Sequence, residues 1–301
     1  MKGGITMKKK NGKLFTIPMI ICTVILILVV AGTLFAPIIT KYDPDKGSII
    51  NAFEKPGAKH LLGTDNLGRD EFTRLLYGGR TTLVNALLAV MISVIVGIPL
   101  GLLCGYYGGI LDNIIMRLWD CILAFPPLLL AFILVAAFGR GSYNAVIAIG
   151  IVYIPMISKL SRSMAMTEKT KAYVEACKTF GYSGARIIFI HILPNCIATL
   201  LAELTLDFGT AIMSLASLSF LGLGVQLPKS DWGAMLQEGM AMVLKEPTII
   251  MYPALIIVLT VVALNVVSDS IQMYLDPDQR RLPSFKTYRK RMMKYEVRRS
   301  A

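Results

Sequence analysis

Long apolar stretches with few charged residues constrain this chain more than any other feature. The first, residues 17–39, contains no charged residue and matches the roughly 20 residues that cross a bilayer as a helix. Because the backbone must satisfy its own hydrogen bonds in lipid, we predict an all-α integral membrane protein with six transmembrane helices. The five further segments are residues 81–111, 112–138, 142–158, 196–225 and 247–268.

The composition agrees with lipid as the solvent. The 301 residues are 55% hydrophobic and 17% charged, whereas a soluble domain carries about 25% charged residues. The net charge of +12 does not indicate nucleic acid as a partner, because the basic residues lie between and beyond the apolar segments.

The distribution of charge predicts the topology. Residues 1–13, 159–195 and 273–301 carry net charges of +5, +4 and +6, and the rest of the chain carries −3. By the positive-inside rule these three segments are cytoplasmic, so we expect both termini in the cytoplasm. The predicted organisation is a cytoplasmic tail (1–16), a first transmembrane helix (17–40), an extracytoplasmic loop (41–80), a core of five helices (81–272) with a cytoplasmic loop (159–195) and an extracytoplasmic loop (226–246), and a basic tail (273–301).

The cytoplasmic loop has the pattern of two short helices joined by a turn. Gly181 is typical of the left-handed residue that ends a helix. Ser183 is a good N-cap for a second helix, and Pro194 is expected to stop it. The pattern predicts a rigid knob at the membrane surface.

Other features predict packing and pairing. Glycines at 97, 101, 105 and 109 share one helix face, where another backbone can approach closely. Arg117 precedes Asp120 by three residues, which favours an ion pair. A short helix is expected from Trp232, which we interpret as an anchor at the lipid interface.

Two carboxylates, Glu203 and Asp207, lie one helical turn apart in the fifth apolar segment. Charge in hydrocarbon is costly, so both should face the protein interior or a wet path. They either line a path for the cationic end of a substrate or bond a neighbouring helix.

The extracytoplasmic loop contains a polar turn at residues 62–70. Its spacing does not match a calcium loop, so we predict a turn held by Asp and Asn side chains. The candidate residues are Gly63, Thr64, Asp65, Asn66, Gly68, Arg69 and Asp70.

Signatures of catalysis or metal binding are missing from the sequence. It has no Walker A, GxSxG, HExxH or CxxC pattern, and its two histidines are far apart. We expect no structural disulfide, since the five cysteines avoid the extracytoplasmic segments. The chain is therefore predicted to be non-catalytic, with no cofactor or metal of its own.

The cytoplasmic loop resembles the EAA loop of permease subunits of binding-protein-dependent ABC importers. Cys177 replaces the usual second Ala, and His191 stands where Ile is commonest. The residues that carry this resemblance are Glu175, Ala176, Cys177, Gly181, His191, Leu193 and Pro194.

Three further stretches are similar to the peptide/nickel branch of that family. They are LGTDNLGRD at residues 62–70, MRLWDCILAFPPLLL at 116–130 and SLSFLGLG at 217–224. Leu215 departs from the branch, which usually carries Glu there.

The resemblance implies a type I ABC importer permease fold in a bacterial cell membrane. It implies as partners a second permease, two ATPase subunits that hold ATP and Mg, and an extracytoplasmic binding protein. Peptides are the first expected substrate; nickel, metal chelates, opines and glutathione remain alternatives. A proton-driven secondary transporter and a membrane scaffold are the competing classes.

Overall fold

The computed structural model describes residues 17–275. Within this range the regular secondary structure is helical, apart from one isolated β-bridge between Thr64 and Asp70. The helices are α1 Ile17–Leu34, α2 Ala36–Ile39, α3 Glu71–Tyr107, α4 Gly109–Leu123, α5 Pro127–Phe138, α6 Ser142–Glu168, α7 Ala172–Thr179, α8 Gly184–Arg186, α9 Leu193–Phe220, α10 Trp232–Met242 and α11 Thr248–Leu275.

Five helical segments of the described chain are long and apolar enough to cross a membrane. The bent pair α4–α5 is a sixth candidate if both halves form one span, because the chain turns by 90° at the break before Pro127. The predicted all-α membrane architecture is confirmed. The predicted basic tail, residues 273–301, lies almost wholly outside the described residues, as does the tail 1–16.

Helix α3 begins at Glu71, inside the predicted extracytoplasmic loop 41–80, and it is 37 residues long. The Asp70 carboxylate starts it by accepting the Thr73 backbone N–H, which satisfies one orphan donor of the first turn. At about 1.5 Å per residue, α3 exceeds the roughly 30 Å of a bilayer core. Its first turns can therefore stand outside the lipid.

Glycines allow α3 and α6 to approach at backbone distance. A Cβ added at any of three α3 glycines would meet α6 carbonyl oxygens at 3.0 Å or less. The contacts advance in four-residue steps along both helices: Gly97 with Ile154, Gly101 with Ser158 and Gly105 with Arg162. The prediction for these three glycines is confirmed. It is wrong for Gly109, which begins α4 after α3 has ended.

Trp232 was expected at the lipid interface, and this expectation is wrong. Its side chain is fully buried, and its indole N–H donates to the Leu75 carbonyl at 2.9 Å. The ring occupies the space left by Gly79, where an added Cβ would lie 2.6 Å from a ring carbon. Helix α10 exists as predicted, but it packs on α3, α9 and α11.

We expect Gly101→Ala to lower the free energy of unfolding by about 1–3 kcal/mol, because the new methyl group would collide with the Ser158 carbonyl. Gly32→Ala is the matched control, since its methyl group meets only the movable Leu76 side chain at 3.3 Å. Thermal unfolding in detergent measures both variants. Equal melting temperatures would contradict backbone contact between α3 and α6.

Candidate functional site: the EAA-like loop, the helix α9 carboxylates and the extracytoplasmic turn

The first half of the EAA-like loop, residues 159–195, ends α7 with a tight hydrogen-bonded turn. Gly181 is left-handed, with φ of 78°. Its N–H donates to the Lys178 carbonyl at 2.9 Å, and the Tyr182 N–H donates to the Cys177 carbonyl at 3.1 Å. This pair of bonds is the Schellman arrangement that closes a helix and fixes the direction of the next residues. The predicted role of Gly181 in the backbone is confirmed.

The second half of the loop does not end where the sequence predicted. Ser183 caps α8 by accepting the Arg186 N–H at 3.4 Å, as expected. Pro194 was expected to stop this helix, yet the chain continues as a helix into α9. A π-helical turn, Ile187–Ile192, precedes the proline. This wider turn shifts the hydrogen-bond pattern, so the missing proline N–H and its ring do not interrupt the helix.

The EAA-like residues of α7 lie on two faces, one buried and one exposed. Cys177 is buried together with Val174, and both pack in the apolar cluster that includes Ile187 and Ile188. The cysteine therefore packs as the small residue it replaces. Glu175 and Ala176 are exposed on the opposite face of α7, and Gly181 is exposed beside them.

An aromatic stack supports the turn. The Tyr182 and His191 rings lie parallel within 9°, with centroids 5.6 Å apart. The Arg186 guanidinium lies 4.2 Å from the centre of the Tyr182 ring, at cation–π distance. His191, which departs from the family pattern, thus stacks against the residue that follows Gly181. Leu193 and Pro194 complete the sequence motif in the first turn of α9.

Polar contacts brace the loop against α6. Glu168 accepts the Tyr173 hydroxyl at 2.7 Å and the Lys171 ammonium at 2.5 Å. Burial and the bond to Glu168 raise the pKa of Tyr173, so its hydroxyl remains a donor. The Lys169 ammonium donates to the Gly105 carbonyl at 2.7 Å, which joins the loop to the end of α3.

The loop region 159–195 begins while α6 is still helical, and its first basic residues pair with α4. Arg162 binds the Asp112 carboxylate through two nitrogens, at 2.5 and 2.7 Å. Lys159 pairs with Asp120 at 2.5 Å. The predicted pair between Arg117 and Asp120 is therefore wrong, because the bend of the chain brings α6 to Asp120.

Glu203 and Asp207 lie half-buried on α9. Glu203 accepts a long hydrogen bond of 3.4 Å from Gln272 on α11. Within residues 17–275 the Asp207 carboxylate has no hydrogen-bond or salt-bridge partner. The roles predicted for the two carboxylates stay predictions. Leu215, one of the departures from the branch, is buried in the central apolar cluster.

Asp65 organises the extracytoplasmic turn. One carboxylate oxygen accepts the backbone N–H groups of Leu67 and Arg69 at 2.8 and 2.9 Å. The other binds the guanidinium groups of Arg69 and Arg74 at 2.6 and 2.5 Å. The prediction of a turn held by Asp and Asn side chains is confirmed for Asp65, and Gly63 and Gly68 supply the positive-φ positions of the turn.

Two neighbouring polar residues complete the turn. Asp70 lies 2.8 Å from the buried His60 ring nitrogen, in addition to capping α3. The Thr64 hydroxyl donates to the Asn51 carbonyl at 2.5 Å and accepts the Glu54 N–H at 2.8 Å. The prediction is wrong for Asn66, whose half-buried side chain makes no hydrogen bond within residues 17–275.

The turn is joined to α10 through residues that the sequence reading missed. Glu238 accepts from Arg69 at 3.0 Å and from Arg74 at 2.7 Å, and Arg74 is fully buried. The sequence did carry a signal, since Glu238 is the single charged residue of the apolar α10. A lone carboxylate in such a helix indicates a buried basic partner.

The fold is similar to that of a solved methionine ABC transporter, MetNI, described in inward-facing conformations. The similarity covers 67% of this chain and 96% of the matched chain, with a TM-score of 0.55 and 16% sequence identity. The chain therefore shares the fold of the matched chain of that transporter.

Residues 97–281 match the family described as binding-protein-dependent transport system inner membrane component. The chain belongs to this family. Among curated relatives, the dipeptide transport system permease protein DppC of Alkalihalophilus pseudofirmus is 40% identical over 268 residues, 89% of this chain and 87% of the relative. The glutathione transport system permease protein GsiD of Escherichia coli is 42% identical over 255 residues, 84% of each chain.

We expect Asp65→Asn to lower the free energy of unfolding by about 3–5 kcal/mol, because it removes one of the two carboxylates that pair with two buried guanidinium groups. Glu238 alone then has to balance both positive charges. Asp43→Asn is the control, since its salt bridge to Lys46 is exposed. Thermal unfolding of the purified chain checks the difference. A melting temperature for Asp65→Asn equal to that of the control would show that the buried network does not hold the turn.

Proposed function

We propose that this chain is a permease subunit of an ATP-driven importer and forms half of the translocation path for di- or oligopeptides. Family membership and the names of relatives support this proposal. The dipeptide permease of Alkalihalophilus pseudofirmus is 40% identical to the chain, and a di/tripeptide permease of Pseudomonas aeruginosa is 42% identical to it. Each match covers more than four fifths of the chain.

The observation that carries the proposal is the structure of the EAA-like loop. It exposes Glu175, Ala176 and Gly181 on a helix whose end is fixed by backbone hydrogen bonds. A rigid, exposed knob of this kind suits docking into an ATPase subunit. The chain itself is non-catalytic in this proposal, and ATP and Mg are bound by the partner subunits.

The loop connects to the path through one continuous helical segment. From Gly184 the chain is helical to Phe220, and this segment carries Glu203 and Asp207. ATP binding that closes two ATPase subunits would move the loops, and α9 would turn with them. ATP must bind the closed pair more tightly, because a ligand shifts an equilibrium only by its differential affinity.

The remaining partners follow from the same proposal. A second, homologous permease completes the path, and an extracytoplasmic binding protein delivers the substrate. In this proposal the chain lies in a bacterial cell (inner or plasma) membrane with both termini in the cytoplasm, the orientation that its charge distribution predicts.

Glutathione is the second candidate substrate, because two relatives described as glutathione permeases are 38% and 42% identical to the chain. Glutathione is itself a tripeptide, so one path could serve both substrates. Nickel, metal chelates and opines are further alternatives. A secondary transporter would instead move substrate with protons and without ATPase subunits.

Gly181→Pro should abolish substrate uptake while the chain remains in the membrane. Proline cannot adopt φ of 78° and has no N–H for the Lys178 carbonyl, so the turn that orients the loop is lost. Gly181→Asn is the matched control, because Asn tolerates this conformation and the position faces open space. Uptake of a labelled dipeptide by cells measures both variants. Wild-type uptake by the Gly181→Pro variant would contradict the proposal that the loop docks into an ATPase subunit.

Replacing Glu203 with Gln and Asp207 with Asn should raise the KM for uptake of a dipeptide with a free amino terminus. The exchange removes both negative charges and preserves the shape of each side chain. An analogue with an acetylated amino terminus serves as the control, and its uptake should change less. Unchanged uptake of both compounds with a lowered melting temperature would instead assign the carboxylates to helix packing.

A further inference from the structure

The tip of the EAA-like loop presents a phenylalanine to solvent. Phe180 is 77% exposed and occupies the C-cap position of α7, between Thr179 and the left-handed Gly181. Its backbone is fixed, because its own N–H donates to the Ala176 carbonyl at 2.9 Å and the Schellman bonds close around it. A large apolar side chain held in a fixed position on an exposed loop is suited to anchor a partner.

The aromatic stack behind Phe180 limits where its ring can lie. The Phe180 and Tyr182 ring centroids are 6.5 Å apart, and Tyr182 is held between His191 and Arg186. An anchor positioned in this way loses little conformational freedom when it enters a pocket.

The charges around Phe180 define the chemistry of the partner. Lys178 and Arg186 are exposed cations two and six residues from it in the chain, and Glu175 is the exposed anion of α7. Within residues 17–275, neither cation has a carboxylate within salt-bridge distance. The surplus of positive charge favours an acidic surface around the site that receives the ring.

We propose that Phe180 is the apolar anchor of the loop, and that it fills a hydrophobic pocket with an acidic rim on the ATPase subunit. This inference rests on the proposed function and names the side chain that supplies the affinity. A bilayer surface would also attract cations, but α7 offers it little. Its exposed residues are one cation, one anion and three small side chains: Lys178, Glu175, Ala172, Ala176 and Thr179.

Phe180→Ser tests the proposal in the assembled permease pair, reconstituted in nanodiscs and titrated with the ATPase subunits that purify with the wild-type complex. We expect the affinity of the permease pair for the ATPase subunits to fall on the order of ten- to a hundredfold, because the interface no longer buries an aromatic side chain. Phe180→Leu keeps an apolar group and should stay within several-fold of wild type. Phe138→Ser, at a phenylalanine 50% exposed at the end of α5, is the matched control and should not change affinity.

The outcomes separate the anchor from the docking loop itself. Full ATPase affinity with Phe180→Ser but not with Gly181→Pro would overturn the anchor and leave the docking loop in place. Full affinity in both variants would overturn both proposals.

Lipid composition tests the competing partner. The Phe180→Ser defect should be the same in phosphatidylcholine discs and in discs that also contain phosphatidylglycerol. A defect confined to the anionic discs would assign the ring to the membrane surface and overturn the anchor.

Discussion

The backbone contact between α3 and α6 is the constraint on which the rest of the structure depends. Gly101 places α3 against the Ser158 carbonyl, and this close contact sets where both ends of α3 lie. At one end Arg74 joins the buried network under the extracytoplasmic turn. At the other end the Gly105 carbonyl accepts from Lys169 at the base of the EAA-like loop. One helix therefore links the extracytoplasmic turn to the base of the EAA-like loop.

The features that could be predicted from the sequence depend on local physics. A charge-free run predicts a span, and a glycine followed by a good N-cap predicts a turn between helices, as at Gly181. Two of the wrong predictions involve a partner distant in the chain. Trp232 is of a residue type that commonly lies at the membrane interface, but Gly79 leaves an interior space that its ring fills. Asp120 has a basic residue one turn away, yet it pairs with Lys159 across a bend that composition does not reveal.

Charged groups in the structure fall into two physical classes. Asp65 and Arg74 are buried and joined by a charge-assisted hydrogen bond. This arrangement is rigid, because breaking the bond would leave buried charges that neither a partner nor solvent stabilises. Glu203 has only a long bond to Gln272, and within the described chain Asp207 has no such bond. Carboxylates held so weakly can exchange partners at little cost. That property suits groups that meet a passing substrate, whereas the buried network suits a fixed support.

Continuity between the EAA-like loop and α9 has a thermodynamic consequence for the proposed importer. Because Pro194 does not interrupt the helix, a rotation of α8 in the proposed importer would be transmitted to Glu203 without an intervening non-helical joint. Coupling between two binding sites is reciprocal. If ATPase binding at the loop changes the affinity of the α9 site for substrate by some factor, substrate binding must change the affinity of the loop for the ATPase by the same factor. The π-helical turn, Ile187–Ile192, lies between the two sites. Any loss of rigidity there would weaken the coupling in both directions while leaving each site intact.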